Sequence, residues 1–288
     1  MNQNLKLRII TALVGVPVIL ALLTSLGVEG VAFFSWVVSM GMLYEFCRLF
    51  FSLSDSQTKT ILLLSMNTLI HVMNYWLNVG VSAAFLGLMP IFTLFIIFLF
   101  MVPKLLNYGG SAALSNPDGI QKLSKHVSEL MAACFGLVYA SWLPLLMVWI
   151  RESNHGKFWL LFTMLVVWGS DSFAYFAGRF FGRAVLYETV SPKKTWEGAI
   201  GGSAGALVIA LLFAHFYLPS ESWITITVIS LTISVASILG DLCESLMKRA
   251  ANVKDSGSIL PGHGGFLDRF DGVVFALPVM YAFLWLLS

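Results

Sequence analysis

Charge is scarce in this sequence. Asp, Glu, Lys and Arg make up 11% of the 288 residues, and the net charge at pH 7 is +2. Soluble domains carry roughly 25% charged residues, so a soluble globular class is excluded. So modest a charge gives no footing for nucleic-acid binding, and no nucleic-acid partner is expected. Cysteine is also rare. Cys47, Cys134 and Cys243 are the three in the chain, and none has metal-site spacing. They read as small apolar residues inside helices, not as a disulfide framework or a zinc site. No inverted repeat of the transporter kind is visible. No small-residue cleavage site follows the first apolar run, so that run is expected to be retained as a span and not removed as a signal peptide.

What fills the chain is apolar: 58% of the residues are hydrophobic, and the mean hydropathy is +0.85. A helix that crosses a bilayer takes ~20 such residues, a criterion met by about nine runs. They fall at 9–28, 31–50, 60–79, 83–102, 129–150, 157–178, 198–217, 223–242 and 270–288. The expected fold is all-α, a polytopic integral membrane protein. Residues 1–128 supply N-terminal helices, and residues 129–288 form a C-terminal catalytic region with its loops. Pro278 lies inside the last run, where neighbouring helices can re-satisfy the carbonyl it frees. Residues 103–125 read as the longest loop of the N-terminal half, with turn signals at Asn107 and Asn116.

Alternating the loops across these runs sorts the cations. One side collects Lys6, Arg8, Arg48, Lys59, Lys104, Lys122, Lys125, Arg179, Arg183, Lys193, Lys194, Lys248, Arg249, Lys254 and Arg269. The other has Arg151 and Lys157, which completes the 17 Lys and Arg. The positive-inside rule then places the N-terminus and the basic C-terminal loops in the cytoplasm. Lys122 and Lys125 read as a solvated or lipid-headgroup face. Glu45 is expected to reach the membrane interface near Arg48. His71 is expected to hydrogen-bond between helices.

Polar residues gather in one stretch, 245–271, between two apolar runs. It holds Lys248, Arg249, Lys254 and Arg269 beside Asp255, Asp268 and Asp271, with Gly262, Gly264 and Gly265 around His263. Cationic side chains and bare backbone amides at a Gly-rich turn suit phosphate oxygens. Carboxylates in the same place do not, unless a hard divalent cation sits between them and the phosphate. Helical spacing puts Asp241, Ser245 and Lys248 or Arg249 on one stripe leaving the membrane, with Glu244 beside it. Asp268 and Asp271 stand one turn apart at the start of the last run. Each has an ordinary reading as helix N-terminal charge stabilisation, typically 0.3–1 kcal/mol. A second polar block runs from Ser191 through Lys193, Lys194, Thr195 and Glu197 to a Gly-rich helix start, where free N–H groups and the helix dipole favour an anion. Asp171 interrupts the apolar run before it, and an intramembrane carboxylate is by default a functional candidate.

The pattern Ser245-x-x-Lys248-Arg249, Lys254-Asp255, Pro261-Gly262-His263-Gly264-Gly265, Asp268-Arg269-x-Asp271 resembles the signature of phosphatidate cytidylyltransferases, also called CDP-diacylglycerol synthases. Ser191-Pro192-Lys193-Lys194-Thr195-Trp196-Glu197-Gly198 and Trp168-Gly169-Ser170-Asp171 resemble further stretches of that family. The likeness runs from about residue 166 to the C-terminus; before that it is one of hydropathy and length only. It implies an enzyme making CDP-diacylglycerol and diphosphate from CTP and phosphatidate, at the bacterial cytoplasmic membrane and among its lipids. A homodimer is one arrangement left open. It further implies Mg²⁺ on Asp241 and Asp268, with K⁺ a further candidate cation. Lys193, Lys194, Lys248, Arg249, Lys254 and Arg269 would clamp phosphates, and the Gly262–Gly265 turn would cradle those of the nucleotide. Asp271 would join the reacting centre; Asp171, Ser191, Thr195, Glu197, Ser245, Asp255 and His263 would contact the substrates. A CTP-dependent lipid kinase and a non-enzymatic lipid or anion transporter are the alternatives.

Overall fold

The computed structural model describes residues 3–51, 56–77, 117–262 and 264–287. The run at 83–102, the turn signals at Asn107 and Asn116, and His263 lie outside the described residues. The helices are α1 (Gln3–Thr24), α2 (Gly27–Phe50), α3 (Ser56–Leu77) and α4 (Pro117–Leu137). A π-helical turn, Val138–Trp142, joins α4 to α5 (Leu143–Glu152), and α6 spans Gly156–Phe181. A two-stranded antiparallel hairpin follows, β1 (Val185–Tyr187) and β2 (Ser191–Thr195), with Val185 opposite Thr195. The chain ends in α7 (Trp196–Tyr217), α8 (Trp223–Ala250) and α9 (Leu267–Leu287).

Six helical segments among the described residues are long and apolar enough to cross a membrane: Gly27–Phe50, Pro117–Glu152, Gly156–Phe181, Trp196–Tyr217, Trp223–Ala250 and Leu267–Leu287. The protein is an all-α integral membrane protein; six such segments lie among the described residues, and the expected run at 83–102 lies outside them. Two expected loops prove structured. The C-terminal end of the 103–125 stretch is the first turns of α4: Pro117 and Asp118 open that helix, where proline's fixed φ and an acid at the positive dipole end both favour a start. The 179–197 stretch holds the hairpin, whose β2 carries Lys193 and Lys194.

Buried polar contacts join the N-terminal helices to α5. Pro144 lacks an N–H, so the Ala140 carbonyl four residues back loses its helical donor. Ser39 of α2 replaces it, its Oγ 2.5 Å from Ala140 O. Ser35 donates to Pro144 O at 2.8 Å. His71 bridges helices as expected, Nδ1 at 3.0 Å from Asn67 O and Nε2 at 3.4 Å from Ser35 Oγ. Lys59, assigned above to a loop, is buried on α3 with its Nζ 2.6 Å from Glu129 Oε2 of α4.

The C-terminal helices approach through small residues, the usual route to close packing where lipid supplies no hydrophobic drive. Gly198, Gly201, Gly202 and Gly205 form one stripe of α7 against α6: a Cβ at Gly201 would fall 2.3 Å from Ala177 Cβ, and one at Gly202 would fall 2.8 Å from Ser170 O. Gly240 of α8 and Gly272 of α9 repeat the device, Gly240 facing the Asp271 carbonyl and Gly272 facing Ser237. Ser234 of α8 ties three helices together, 2.9 Å from Ser170 and 3.0 Å from Ser203.

Candidate active site

The close crossing of α8 and α9 decides the chemistry. Asp241 follows Gly240 and Asp271 precedes Gly272, so the contact that excludes a side chain at both glycines sets the two acids face to face. Glu244, one turn along α8, completes the group. One carboxylate oxygen from each of Asp241, Glu244 and Asp271 lies within 4.8 Å of the others. Glu244 is only 1% exposed, and its Oε1 accepts no hydrogen bond among the described residues.

Two lysines hold this negative charge. Lys194, delivered by β2, ion-pairs with Asp241 Oδ2. Lys248, one turn beyond Glu244, lies 2.5 Å from Glu244 Oε2 and 2.8 Å from Asp268 Oδ1. Thr195 ends the hairpin and caps α7, its Oγ1 accepting from Gly198 N at 3.1 Å. That cap turns the chain from strand to helix directly after the lysines.

These groups line a cavity of about 520 Å³ between α6, the hairpin, α7, α8 and α9, a size usual for a small-molecule site. Asp171, Tyr175 and Arg179 border it from α6, Lys193 and Lys194 from the hairpin, Ile238 from α8 and Arg269 from α9. Five cationic and five anionic side chains line it: Arg179, Lys193, Lys194, Lys248 and Arg269, against Asp171, Asp241, Glu244, Asp268 and Asp271. Asp171 lines the same cavity as Asp241 and Asp271.

Several expected ligands stand elsewhere. Asp268 is not one of the three clustered acids. Its Oδ2 accepts from Gly265 N at 3.0 Å and lies 2.9 Å from Ser256 Oγ, while Oδ1 meets Lys248. This is the backward reach of a capping-box acid, which satisfies amides ahead of its own helix. The acids that cluster are Asp241, Glu244 and Asp271, whereas Asp268, expected to share an ion with Asp241, is hydrogen-bonded to its loop and to Lys248 at the edge of the same cavity. Gly262, Gly264 and Gly265, the described residues of the Gly-rich turn, do not line the cavity. Gly262 and Gly264 take positive φ, 77° and 85°, which L-residues rarely adopt, and Gly265 approaches internal carboxylates instead of a phosphate. Glu197 accepts the backbone N–H groups of Arg183 and Ala184, at 3.1 Å from Arg183. Arg249 donates to Val190 O at 3.2 Å, bracing the hairpin. Ser245 donates to Asp241 Oδ1 at 3.4 Å. Ser191, Lys254 and Asp255 also lie off the cavity wall.

Sequence reasoning did not place Glu244 in the acid cluster or Tyr175 and Arg179 on the cavity wall. The spacing Asp241-x-x-Glu244 was the available signal, since residues three apart share a helix face.

A model of the cytidylyltransferase family matches residues 6–287. The chain belongs to that family. Among curated relatives, a phosphatidate cytidylyltransferase of Haemophilus influenzae is 48% identical over 132 residues, 44% of this chain and 46% of the relative. One of Bacillus subtilis is 44% identical over 135 residues, 47% of this chain and 50% of the relative. One of Synechocystis is 38% identical over 189 residues, 56% and 64% of the two chains. The chain spans about half the length of the first two of these relatives.

Proposed function

We propose that this member of the cytidylyltransferase family makes CDP-diacylglycerol from CTP and phosphatidate, releasing diphosphate. One observation carries the reading: three convergent carboxylates flanked by two lysines, in a cavity where membrane helices end. Phosphate ligands alone do not explain three carboxylates with oxygens within 4.8 Å of one another; a hard divalent cation between them and a phosphate does. The donor set fits Mg²⁺, being all oxygen, with Glu244 Oε1 buried and without a hydrogen bond among the described residues. Asp241, Glu244 and Asp271 would hold the ion, which would neutralise the nucleotide phosphates and orient them.

The chain's own groups do the rest. With the acids neutralised, Lys194 and Lys248 can turn from Asp241 and Glu244 to phosphate oxygens, joined by Lys193, Arg179 and Arg269. A phosphate oxygen of phosphatidate attacks the α-phosphorus of CTP, the bond from that phosphorus to the bridging oxygen breaks, and diphosphate leaves. The attacking monoester is already an anion near neutral pH, so alignment and charge are what the site must supply. The segregation of Lys and Arg supports placing the N-terminus and this site on the cytoplasmic side of a bacterial membrane.

Radiolabelled CTP incubated with phosphatidate in detergent micelles, with and without Mg²⁺, tests this. Mg²⁺-dependent CDP-lipid and diphosphate are expected. Phospholipid plus CDP would instead identify a lipid kinase, and no turnover of CTP would overturn the enzymatic reading.

A further inference from the structure

A residue far from the site in sequence holds the loop beside it. Glu45 of α2 is 0% exposed, and it does not reach the interface beside Arg48 as its position suggests. Its Oε2 accepts from Leu267 N at 3.0 Å, at the first residue of α9, and lies 3.0 Å from Ser256 Oγ. The same hydroxyl lies 2.9 Å from Asp268 Oδ2, and Ser256 N donates to that oxygen at 3.3 Å. The loop is built to admit this carboxylate. A Cβ at Gly257 would fall 2.2 Å from Glu45 Oε1, and one at Gly265 would fall 2.3 Å from Glu45 Oε2. Neither glycine has positive φ, so what requires glycine there is close approach to Glu45.

The contacts form one chain: Glu45, Ser256, Asp268, Lys248 and then Glu244 of the clustered acids. We propose that Glu45 is a positioning residue of the active site. By holding Ser256 and the first amide of α9, it sets where Asp268 points and therefore where Lys248 stands relative to Glu244. It touches no substrate and lies off the cavity wall, so its action runs through the loop. A buried carboxylate is costly unless hydrogen-bonded, and here Oε2 is held by Ser256 of the loop and Leu267 at the start of α9, while Oε1 has no hydrogen bond among the described residues.

The inference rests on the reading above only for its kinetic half. Glu45→Gln keeps an acceptor oxygen and is expected to retain most activity. Glu45→Ala is expected to lower kcat ~10- to 100-fold, the range for groups that orient others at a site, with KM for CTP within threefold. Hydrogen exchange followed by mass spectrometry supplies a readout independent of activity: exchange of residues 256–267 rises in Glu45→Ala, while α6 and α7 keep their protection. Ser256→Ala should act on the same path, so the double variant is no worse than the stronger single one. If Glu45→Ala does not fold in detergent, Ser256→Ala decides alone, with faster loop exchange and lower kcat at an unchanged Tm expected. Unchanged loop exchange, wild-type kcat, or effects that multiply in the double variant overturn the proposal. An inactive wild-type protein would count against the proposed reaction, while the exchange data would still decide the role of Glu45.

Discussion

Gly240→Ala adds one methyl group and should disable the protein. The new Cβ would sit 2.4 Å from the Asp271 carbonyl oxygen, 3.0 Å from its carbon and 3.1 Å from Gly272 Cα. All three are backbone atoms, so no side chain can rotate away. Against an ordinary carbon–oxygen contact the shortfall is about 1 Å, and α8 and α9 must part by about that much where they cross. Forcing a methyl group into a packed contact costs about 1–3 kcal/mol, visible as a Tm several degrees lower in detergent. The functional consequence is larger, because the collision lies beside both acids: Asp241 is the next residue on α8, and Asp271 supplies the struck carbonyl. Displacing a reacting geometry by 1 Å costs about 100-fold in rate. Gly240→Ala should therefore lose about two orders of magnitude in CTP turnover at saturating Mg²⁺. Gly15→Ala, where an added Cβ meets nothing within 4 Å, is the control and should match wild type in both measurements. A Gly240→Ala protein with wild-type turnover would refute the link between this crossing and the acidic cluster, whatever its Tm.

Asp271→Asn should cut turnover at least ~100-fold and move the Mg²⁺ titration to higher concentration, whereas Asp268→Asn should lower turnover without moving the Mg²⁺ midpoint; equal midpoint shifts would count against the assignment of Asp271 to the metal group. Lys59→Met leaves the buried Glu129 with His126, 3.7 Å away, as its ion-pair partner among the described residues, so thermal unfolding should show a loss of up to about 3–5 kcal/mol, and Lys59→Met with Glu129→Leu should recover most of it. Thr195→Ala removes the cap of α7 and should cost about 1 kcal/mol, while Thr195→Ser should keep it, both read from Tm.

Hydropathy located the membrane helices well but not their ends, and the reason is physical. The run at 223–242 stops where Cys243 is followed by Glu244, Lys248 and Arg249, yet α8 continues to Ala250. Hydropathy marks the part of a helix that lies in lipid, whereas backbone hydrogen bonding carries the helix on into water. That overhang carries Glu244 and Lys248, so the boundary error and the unplaced member of the acid cluster have one cause. The hairpin was illegible because β1 has three residues and β2 contains Pro192, too little pattern for a period of two to register. Glu45 was illegible for a different reason: 211 residues separate it from Ser256, and no local spacing encodes so distant a pairing.

Asp268 and Asp271 show most clearly what spacing can and cannot say. Three residues apart at the start of one helix, they look equivalent, and both qualify as N-terminal acids or as metal ligands. Their fates differ because the first turn of a helix has two sets of neighbours. Asp268 lies close enough to the helix start for its carboxylate to reach back to Gly265 N, and the ordinary helix-end reading holds for it. Asp271, one turn deeper, accepts instead from the N–H of the residue that follows it, Gly272, at 2.8 Å. Its carboxylate lies with those of Asp241 and Glu244, one oxygen of each within 4.8 Å of the others. The acid that best explains itself locally is thus the weaker metal candidate, and the acid whose partners come from other helices is the stronger one. The resemblance placed both acids in the site; the choice between them needed the crossing of α8 and α9.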